Sequence, residues 1–316
     1  MLKVGLVGVG GISGAHIPAW EAMEGVELVA LCDVRKEQME GYPDKRQYLN
    51  YDEMLANEEL DIVDICLPTY LHADYSIKAM EKGIHVLCEK PISLNKGDVE
   101  RVYETARRMN VKFMVAQVLR FWPEYVLLKE IYDTKKYGKL LSGFMRRLSS
   151  KPAWSWDGWM HDEKRSGLVA FDLHIHDLDY IIYAFGEPKN VKSNLVKRPE
   201  QDFINATYEY DDFFIQTEAS WYGCKFPFMA GFRFVFEEAI ILFEEGRCII
   251  YENNGNVIDL TKDAEGDTGA INLPKSDAYG EEIRYFADCV EKDVFPDRVR
   301  PEELAAVIEI IKNLGE

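Results

Sequence analysis

Val4-Gly5-Leu6-Val7-Gly8-Val9-Gly10-Gly11-Ile12-Ser13-Gly14 stands at the head of the chain. The apolar run 4–7 has the length and composition of a short buried strand, and it passes straight into glycines. Glycine is needed there so that the chain can turn tightly and bring backbone N–H groups to the start of a helix. That arrangement suits a phosphate. The third position of the G-x-G-x-x-G pattern is Ser13, still small enough for close helix–strand packing. Asp33 ends the next apolar run, 23 residues after Gly10. A carboxylate at that point would accept hydrogen bonds from the ribose of a dinucleotide and repel a 2′-phosphate. The pattern predicts a dinucleotide site built from Gly8, Gly10, Gly11, Ile12 and Asp33, with NAD favoured. Arg35 could pair with a 2′-phosphate, so NADP is the alternative. The competing reading is an ordinary glycine turn beside a solvated aspartate.

Working outward, residues 26–32, 62–67, 85–88 and 112–116 read as further buried strands, and 72–82 and 95–109 have helical spacing. Strands alternating with helices predict βαβ units and a parallel sheet. Gly83 follows one helix, and Pro68 and Pro91 each follow a strand, where such residues stop an element. Beyond residue 120 the pattern changes. Helical stretches at 123–135 and 167–185 precede strand-like runs at 206–210, 213–221, 228–237, 239–244 and 248–252. Phe232, Phe234 and Phe236 alternate as one face of a strand requires. Strand after strand without helices implies an antiparallel sheet. The fold class expected is α/β: an N-terminal Rossmann dinucleotide-binding domain over 1–120, then a C-terminal α+β domain with a large, mostly antiparallel sheet over 121–316. The tail stretches 281–290 and 302–314 are amphipathic, and 259–267 is the best candidate for a mobile loop.

Of 316 residues, 47% are hydrophobic and 12% aromatic, a globular composition. The net charge of −18 argues against nucleic acid and against an anionic membrane surface. Residues 1–120 carry 14 basic and 19 acidic side chains, so most of the excess, −13, belongs to the second part. That makes a neutral substrate more attractive than a polyanion, although Arg120, Arg146, Arg147, Lys151, Lys164 and Arg165 keep a carboxylated one open. No apolar run reaches the roughly 18–20 residues that span a bilayer, and no secretory segment is visible. Six scattered cysteines form no Cys-x-x-Cys pair, and Cys32, Cys66 and Cys88 end apolar runs as buried free thiols would. A reduced, cytoplasmic protein is expected.

Two further segments carry chemistry. In Glu89-Lys90-Pro91, Lys90 follows a strand at the carboxyl end of a parallel sheet, where ligands bind. Pro91 holds Lys90 extended, and a cis bond there would aim the ammonium group. A surface lysine before a helix-starting proline fits the spacing equally well. In 167–185, Leu168, Phe171, Ile175, Leu178 and Ile182 make one apolar stripe at helical period. Asp172, His176 and Asp179 then share the adjoining stripe, placing a carboxylate beside an imidazole, an arrangement for general acid–base work. His174 points about 160° away from His176 around a helix, so the two do not converge on a metal, and none is expected. Trp154, Trp156 and Trp159 would stack on a sugar ring or pack in the core.

Together these motifs resemble the glucose–fructose oxidoreductase and inositol dehydrogenase family of NAD(P)-dependent oxidoreductases. The carriers are the glycine loop with His16, Asp33, residues 61–69 with His72, residues 83–91, Asp172-x-x-x-His176-x-x-Asp179, and Tyr279, Glu282 and Phe286 in the tail. The resemblance implies Lys90 in contact with substrate and cofactor ribose, His176 as proton donor or acceptor, and Asp172 as its partner. It implies that Leu67, Pro68, Thr69, His72, Glu89 and Lys90 line the cofactor, and that Arg120 and Trp159 join Lys90, Asp172 and His176 around substrate. The activity implied is reversible oxidation of a secondary hydroxyl of a sugar, inositol or related polyol, in a homodimer or homotetramer. His174 replaces the family's usual glycine, which leaves the substrate class open. Two rival readings share the fold: a redox-neutral glycosidase or epimerase that retains NAD, and a non-catalytic NAD-sensing regulator.

Overall fold

The computed structural model describes residues 1–261 and 277–315. The chain divides into two compact units, the first containing Met1–Val118 and Asp277–Leu304, the second running from Leu119 to residue 261 and again from Ala305.

In the first unit, strands β1 (Leu2–Val7), β2 (Val26–Cys32), β3 (Arg46–Tyr48), β4 (Ile62–Ile65), β5 (His85–Glu89) and β6 (Phe113–Ala116) form one sheet. All neighbours are parallel, in the order β3-β2-β1-β4-β5-β6. β4 and β6 are buried at every residue, which is why they appear as continuous apolar runs and not as alternating ones. Helices α1 (Ser13–Glu21), α2 (Tyr51–Asn57), α3 (His72–Met80) and α4 (Lys96–Met109) connect them. Asn50 caps α2 by accepting the N–H groups of Asp52 and Glu53 at 2.8 and 3.3 Å. β3, three residues at the sheet edge, carries no apolar run and was not expected from the sequence.

In the second unit, eight strands form one sheet: β7 (Leu140–Ser150), β8 (Asn190–Arg198), β9 (Gln201–Glu209), β10 (Phe214–Tyr222), β11 (Met229–Phe236), β12 (Ala239–Glu244), β13 (Arg247–Glu252) and β14 (Val257–Asp259). Their order is β14-β13-β12-β11-β7-β10-β9-β8, antiparallel throughout except where β7 lies beside β10. Of these, β7, β8 and β14 left no strand signal. β8 is an exposed edge strand of alternating polar residues, and β7 carries two arginines inward and outward in succession. The Phe face of β11 turns inward: Phe232, Phe234 and Phe236 are 2%, 0% and 2% exposed. It packs on its own unit's helices α5 (Pro123–Thr134) and α7 (Ile175–Phe185), with the Phe234 ring stacked 5.4 Å from Phe185 and Phe232 edge-on to Tyr125 at 5.0 Å. Gly143 of β7 makes room for this, since a Cβ there would lie 2.5 Å from the Phe234 ring.

Two expectations need correction. The stretch 167–185 is not one helix. A short helix α6 (Glu163–Ser166) ends at Gly167 (φ 72°), Leu168 is also left-handed (φ 57°), and a π-turn over Ala170–His174 then leads into α7. A Cβ on Gly167 would overlap Phe171 at 2.3 Å, so glycine permits the chain to double back there. The tail does not all belong with the second part: helix α8 (Ala278–Glu291) lies in the first unit and packs on α1 and β5. Its buried face, with Tyr279, Ile283 and Phe286, is the amphipathic stripe whose destination periodicity alone does not specify. Helix α9 (Pro301–Lys312) ends the fold. The loop expected at 259–267 lies, from residue 262, outside the described residues. All six cysteines are free and only Cys224 is exposed. Among the described residues no helix is long and apolar enough to cross a membrane.

Candidate active site

In the first unit, the glycine loop leaves β1 with Gly8 at φ 93°, its N–H bonded to the Cys32 carbonyl at 2.8 Å. A Cβ on Gly8 would come within 2.5 Å of the Cys66 carbonyl oxygen, so this glycine is demanded by the protein itself. Gly10 is different. It has no left-handed φ, and a Cβ on it would meet nothing within 4 Å. The open space beside it, at the start of a helix whose N-terminus has no side-chain cap, fits the pyrophosphate of a dinucleotide. Gly11 is exposed and Ile12 half-buried at the same turn.

Asp33 follows β2 and is buried. It accepts the Val9 N–H at 2.9 Å and the Arg35 N–H at 2.8 Å, and the Arg35 guanidinium closes on it at 3.2 Å. The carboxylate is thus oriented by the glycine loop, and the Arg35 guanidinium, on Oδ1 and Oδ2 at 3.2 and 3.4 Å, occupies the lone pairs that ribose hydroxyls would use and must give way to them. Arg35 is engaged by the same carboxylate that selects against a 2′-phosphate.

Leu67, Pro68 and Thr69 follow β4, and Glu89 ends β5 with Lys90 and Pro91 just beyond it, at the carboxyl edge of the sheet. The Lys90–Pro91 bond is cis. His72 is buried, with Nδ1 2.7 Å from the Pro91 carbonyl and Nε2 2.6 Å from the Leu67 carbonyl. Burial pushes its pKa below the ordinary histidine value. Its neutral ring lies between the loop after β4 and the Lys90 loop, its single N–H donating to one of the two carbonyls.

In the second unit, α7 is buried almost all round. Within residues 173–185 only His176 and Tyr183 are not buried, and Asp172, one turn before His176, is likewise half-buried. The π-turn lies at this point, as π-turns often do at functional sites. Asp179 does not share that open stripe. It is 1% exposed and grips Arg120, itself 0% exposed, through Nε at 2.9 Å and an Nη at 2.6 Å. The Arg120 guanidinium also stacks 4.7 Å from the Tyr183 ring centroid. His174 turns into the sheet, Nε2 to the Tyr208 hydroxyl at 2.7 Å, and burial pushes its pKa down to about 4. Trp159 is half-buried in the turn Trp156–His161, while Trp154 and Trp156 are exposed.

Sequence reasoning missed Asp177 and its pairing with Arg147. Both residues are buried and paired at 3.0 Å, with the Tyr125 hydroxyl alongside, fixing α7 to β7. Burial pushes the Asp177 carboxyl up, partly offset by Arg147. No local pattern marks such a pair, because its members lie 30 residues apart. Of the cations flagged as a reserve for an anionic substrate, Arg120, Arg147, Arg146 and Arg165 all have internal carboxylate partners: Asp179, Asp177, Glu244 and Asp157.

Residues 2–117 match the profile of an oxidoreductase family with an NAD-binding Rossmann fold, and residues 125–241 match the GFO/IDH/MocA C-terminal domain. The chain belongs to the GFO/IDH/MocA family of oxidoreductases. This GFO/IDH/MocA protein is 25% identical to a glucose-6-phosphate 3-dehydrogenase of Bacillus subtilis, across 96% of its own chain and 94% of the relative. It is 28% identical to a myo-inositol 2-dehydrogenase of Thermotoga maritima across 59% and 55%. Its fold matches a levoglucosan dehydrogenase solved with NADH and levoglucosan, at a TM-score of 0.84 and 18% identity over 98% and 95% of the two chains. An oxidoreductase from Agrobacterium radiobacter, solved with NAD+, L-tartaric acid and magnesium, matches at 0.82 and 17% over 99% and 95%. The protein is accordingly an NAD-binding dehydrogenase of two-domain Rossmann architecture.

Proposed function

We propose that this enzyme reversibly oxidises a secondary hydroxyl of a neutral sugar, inositol or related polyol by hydride transfer to NAD. The observation that carries the reading is the Asp172–His176 pair, a carboxylate and an imidazole four residues apart, left partly open on a segment whose other carboxylates, Asp177 and Asp179, are buried and ion-paired. The relatives' names supply sugars and inositols as the substrate class, one of them phosphorylated, and the carboxylate partners of Arg120, Arg146, Arg147 and Arg165 favour a neutral substrate over an anionic one here.

The glycine loop and Asp33 would hold NAD, whose nicotinamide supplies the hydride acceptor. His176 takes the hydroxyl proton at its open ring edge, and Asp172 stabilises the resulting imidazolium. Lys90 donates a hydrogen bond to the same oxygen and stabilises its developing negative charge. Trp159 offers a ring face to the sugar, and Arg120 supports the site through its grip on Asp179. Assembly as a homodimer or homotetramer belongs to the same reading and is checked by gel filtration.

The test is a panel of sugars and polyols with NAD and NADP, followed by absorbance of the reduced nicotinamide. Lys90→Ala and His176→Ala should each cut turnover about 100-fold or more while leaving NAD binding nearly intact. Wild-type turnover in either variant would remove that residue from the mechanism.

A further inference from the structure

Behind the Glu89-Lys90-Pro91 segment lies a cluster of ionisable side chains closed to solvent. His16 from α1, Asp64 from β4 and Glu282 from α8 are each 0% exposed, and Glu89 of β5 is buried with them. His16 Nδ1 lies 2.8 Å from Asp64 Oδ2, and Nε2 lies 3.1 Å from Glu89 Oε1. A carboxylate oxygen only accepts. A neutral imidazole has one N–H and would turn a lone pair on one of these two partners, whereas an imidazolium donates to both. Burial opposes that charge, but Asp64 and Cys66 outweigh it and hold the His16 pKa well above its ordinary value. The Trp20 indole N–H also donates to Asp64 Oδ2, at 2.7 Å. Glu89 uses its second oxygen, Oε2, to accept the Lys90 backbone N–H at 3.0 Å. The cluster is therefore in bonded contact with the residue assigned to the chemistry.

Glu282 is the unexplained member. Neither of its carboxyl oxygens makes a well-formed hydrogen bond among the described residues, the Gln117 backbone offering only a poorly aligned donor. An ionised carboxylate in that position would be uncompensated, next to two others. Burial, followed by the nearby Glu89 and Asp64, holds its pKa well above the carboxylate range, against His16 and the Gln117 backbone. Cys66, Cys88 and His72 are the other titratable groups that face Glu89, His16 or Asp64, and the Tyr279 ring lies 5.9 Å from His16.

We propose that His16 is a positioning residue for Lys90, acting through Glu89. The His16 imidazolium fixes Glu89 Oε1, which leaves Oε2 to hold the Lys90 backbone. Glu282 stays a neutral acid, so it fills the space without competing for the imidazolium. This inference rests on the reading of Lys90 given above.

Kinetics and spectroscopy on the full-length protein test it together, with the best substrate of the panel and NAD titrated separately. His16→Asn and Glu89→Gln should each lower kcat about tenfold to a hundredfold, the cost of a misplaced group, while NAD affinity changes little. The double variant should be no worse than the poorer single one. Glu282→Gln, always neutral and the same size, should keep kcat and KM and remove a protonated-carboxyl band from the infrared spectrum at pH 7. It should also be more stable than wild type at pH 7, because folding forces wild-type Glu282 to take up a proton, and the gap should close below the unfolded carboxyl pKa. Nitrogen-15 NMR should show both His16 ring nitrogens protonated at pH 7. An unprotonated His16 nitrogen, or a crippled Lys90→Ala alongside unimpaired His16→Asn and Glu89→Gln, would overturn the positioning role, and an infrared band unchanged in Glu282→Gln would overturn the neutral acid. Normal turnover in Lys90→Ala would instead overturn the reading of Lys90, and the infrared and NMR results would still report on the cluster by themselves.

Discussion

Asp179→Asn isolates the anchor that holds α7 in place. Arg120 and Asp179 are 0% and 1% exposed and meet in a bidentate pair at 2.6 and 2.9 Å. Two unit charges about 4 Å apart attract by about 4 kcal/mol at an effective dielectric of about 20. Removing one partner also strands the other in the interior, and such changes cost about 3–5 kcal/mol. Asparagine keeps the shape and one acceptor, so the loss reflects charge and not a cavity. For a unit of this size, each kcal/mol lowers the melting temperature by about 2–4 °C, so calorimetry should find the second unit's transition about 6–20 °C lower. Urea unfolding followed by tryptophan fluorescence should give the same ordering. The double variant Arg120→Met with Asp179→Leu should recover much of the loss, since it removes both charges and restores apolar packing. A cost below about 1 kcal/mol for Asp179→Asn would refute the reasoning. The pair would then behave like a solvated ion pair, and Arg120 would be available to bind substrate directly.

Three other outcomes follow from the same geometry. Gly8→Ala combines a positive φ with a Cβ 2.5 Å from the Cys66 carbonyl, so it should cost more than about 2 kcal/mol and weaken NAD binding by isothermal titration; near-wild-type behaviour would mean the turn is not fixed as described. His174, with its pKa at about 4, is neutral in the fold at pH 7, while the unfolded chain takes up its proton near pH 6.5. Stability should therefore fall by about 2 kcal/mol more between pH 7 and pH 5 in wild type than in His174→Asn, as read from urea midpoints, and equal slopes would exclude this origin. Phe234→Ala removes a fully buried ring that stacks on Phe185 and should cost about 3–5 kcal/mol in unfolding experiments, whereas a loss near zero would show the site collapses around it.

The glycine loop, Asp33 and the five apolar strands of the first unit were legible because each is a local pattern, a few consecutive residues whose types dictate conformation. The Phe alternation of β11 and the helix 123–134 were legible for the same reason. β3 and β8 were not, because edge strands with polar residues gain their pairing from neighbours and leave no apolar signature. The Asp172–His176 spacing was visible in the sequence. The π-turn that carries it was not, since helical period continues almost undisturbed across 168–182 while Gly167 and Leu168 redirect the chain.

The sequence by itself determined the kind of fold and the family, and it nominated the side chains proposed for the chemistry, because backbone freedom, hydrophobic period and phosphate-binding turns are properties of short segments. Only the tertiary structure decided which charges are free to act. Arg120, Arg147 and Asp179 look like site residues in one dimension and are buried in ion pairs in three. Glu282, a lone acid on a tail helix, becomes a neighbour of His16, Asp64 and Glu89 only when α8 docks on α1 and β5. The physical reason is that partnership between charges depends on burial and distance, and both are set by contacts between segments far apart in the chain.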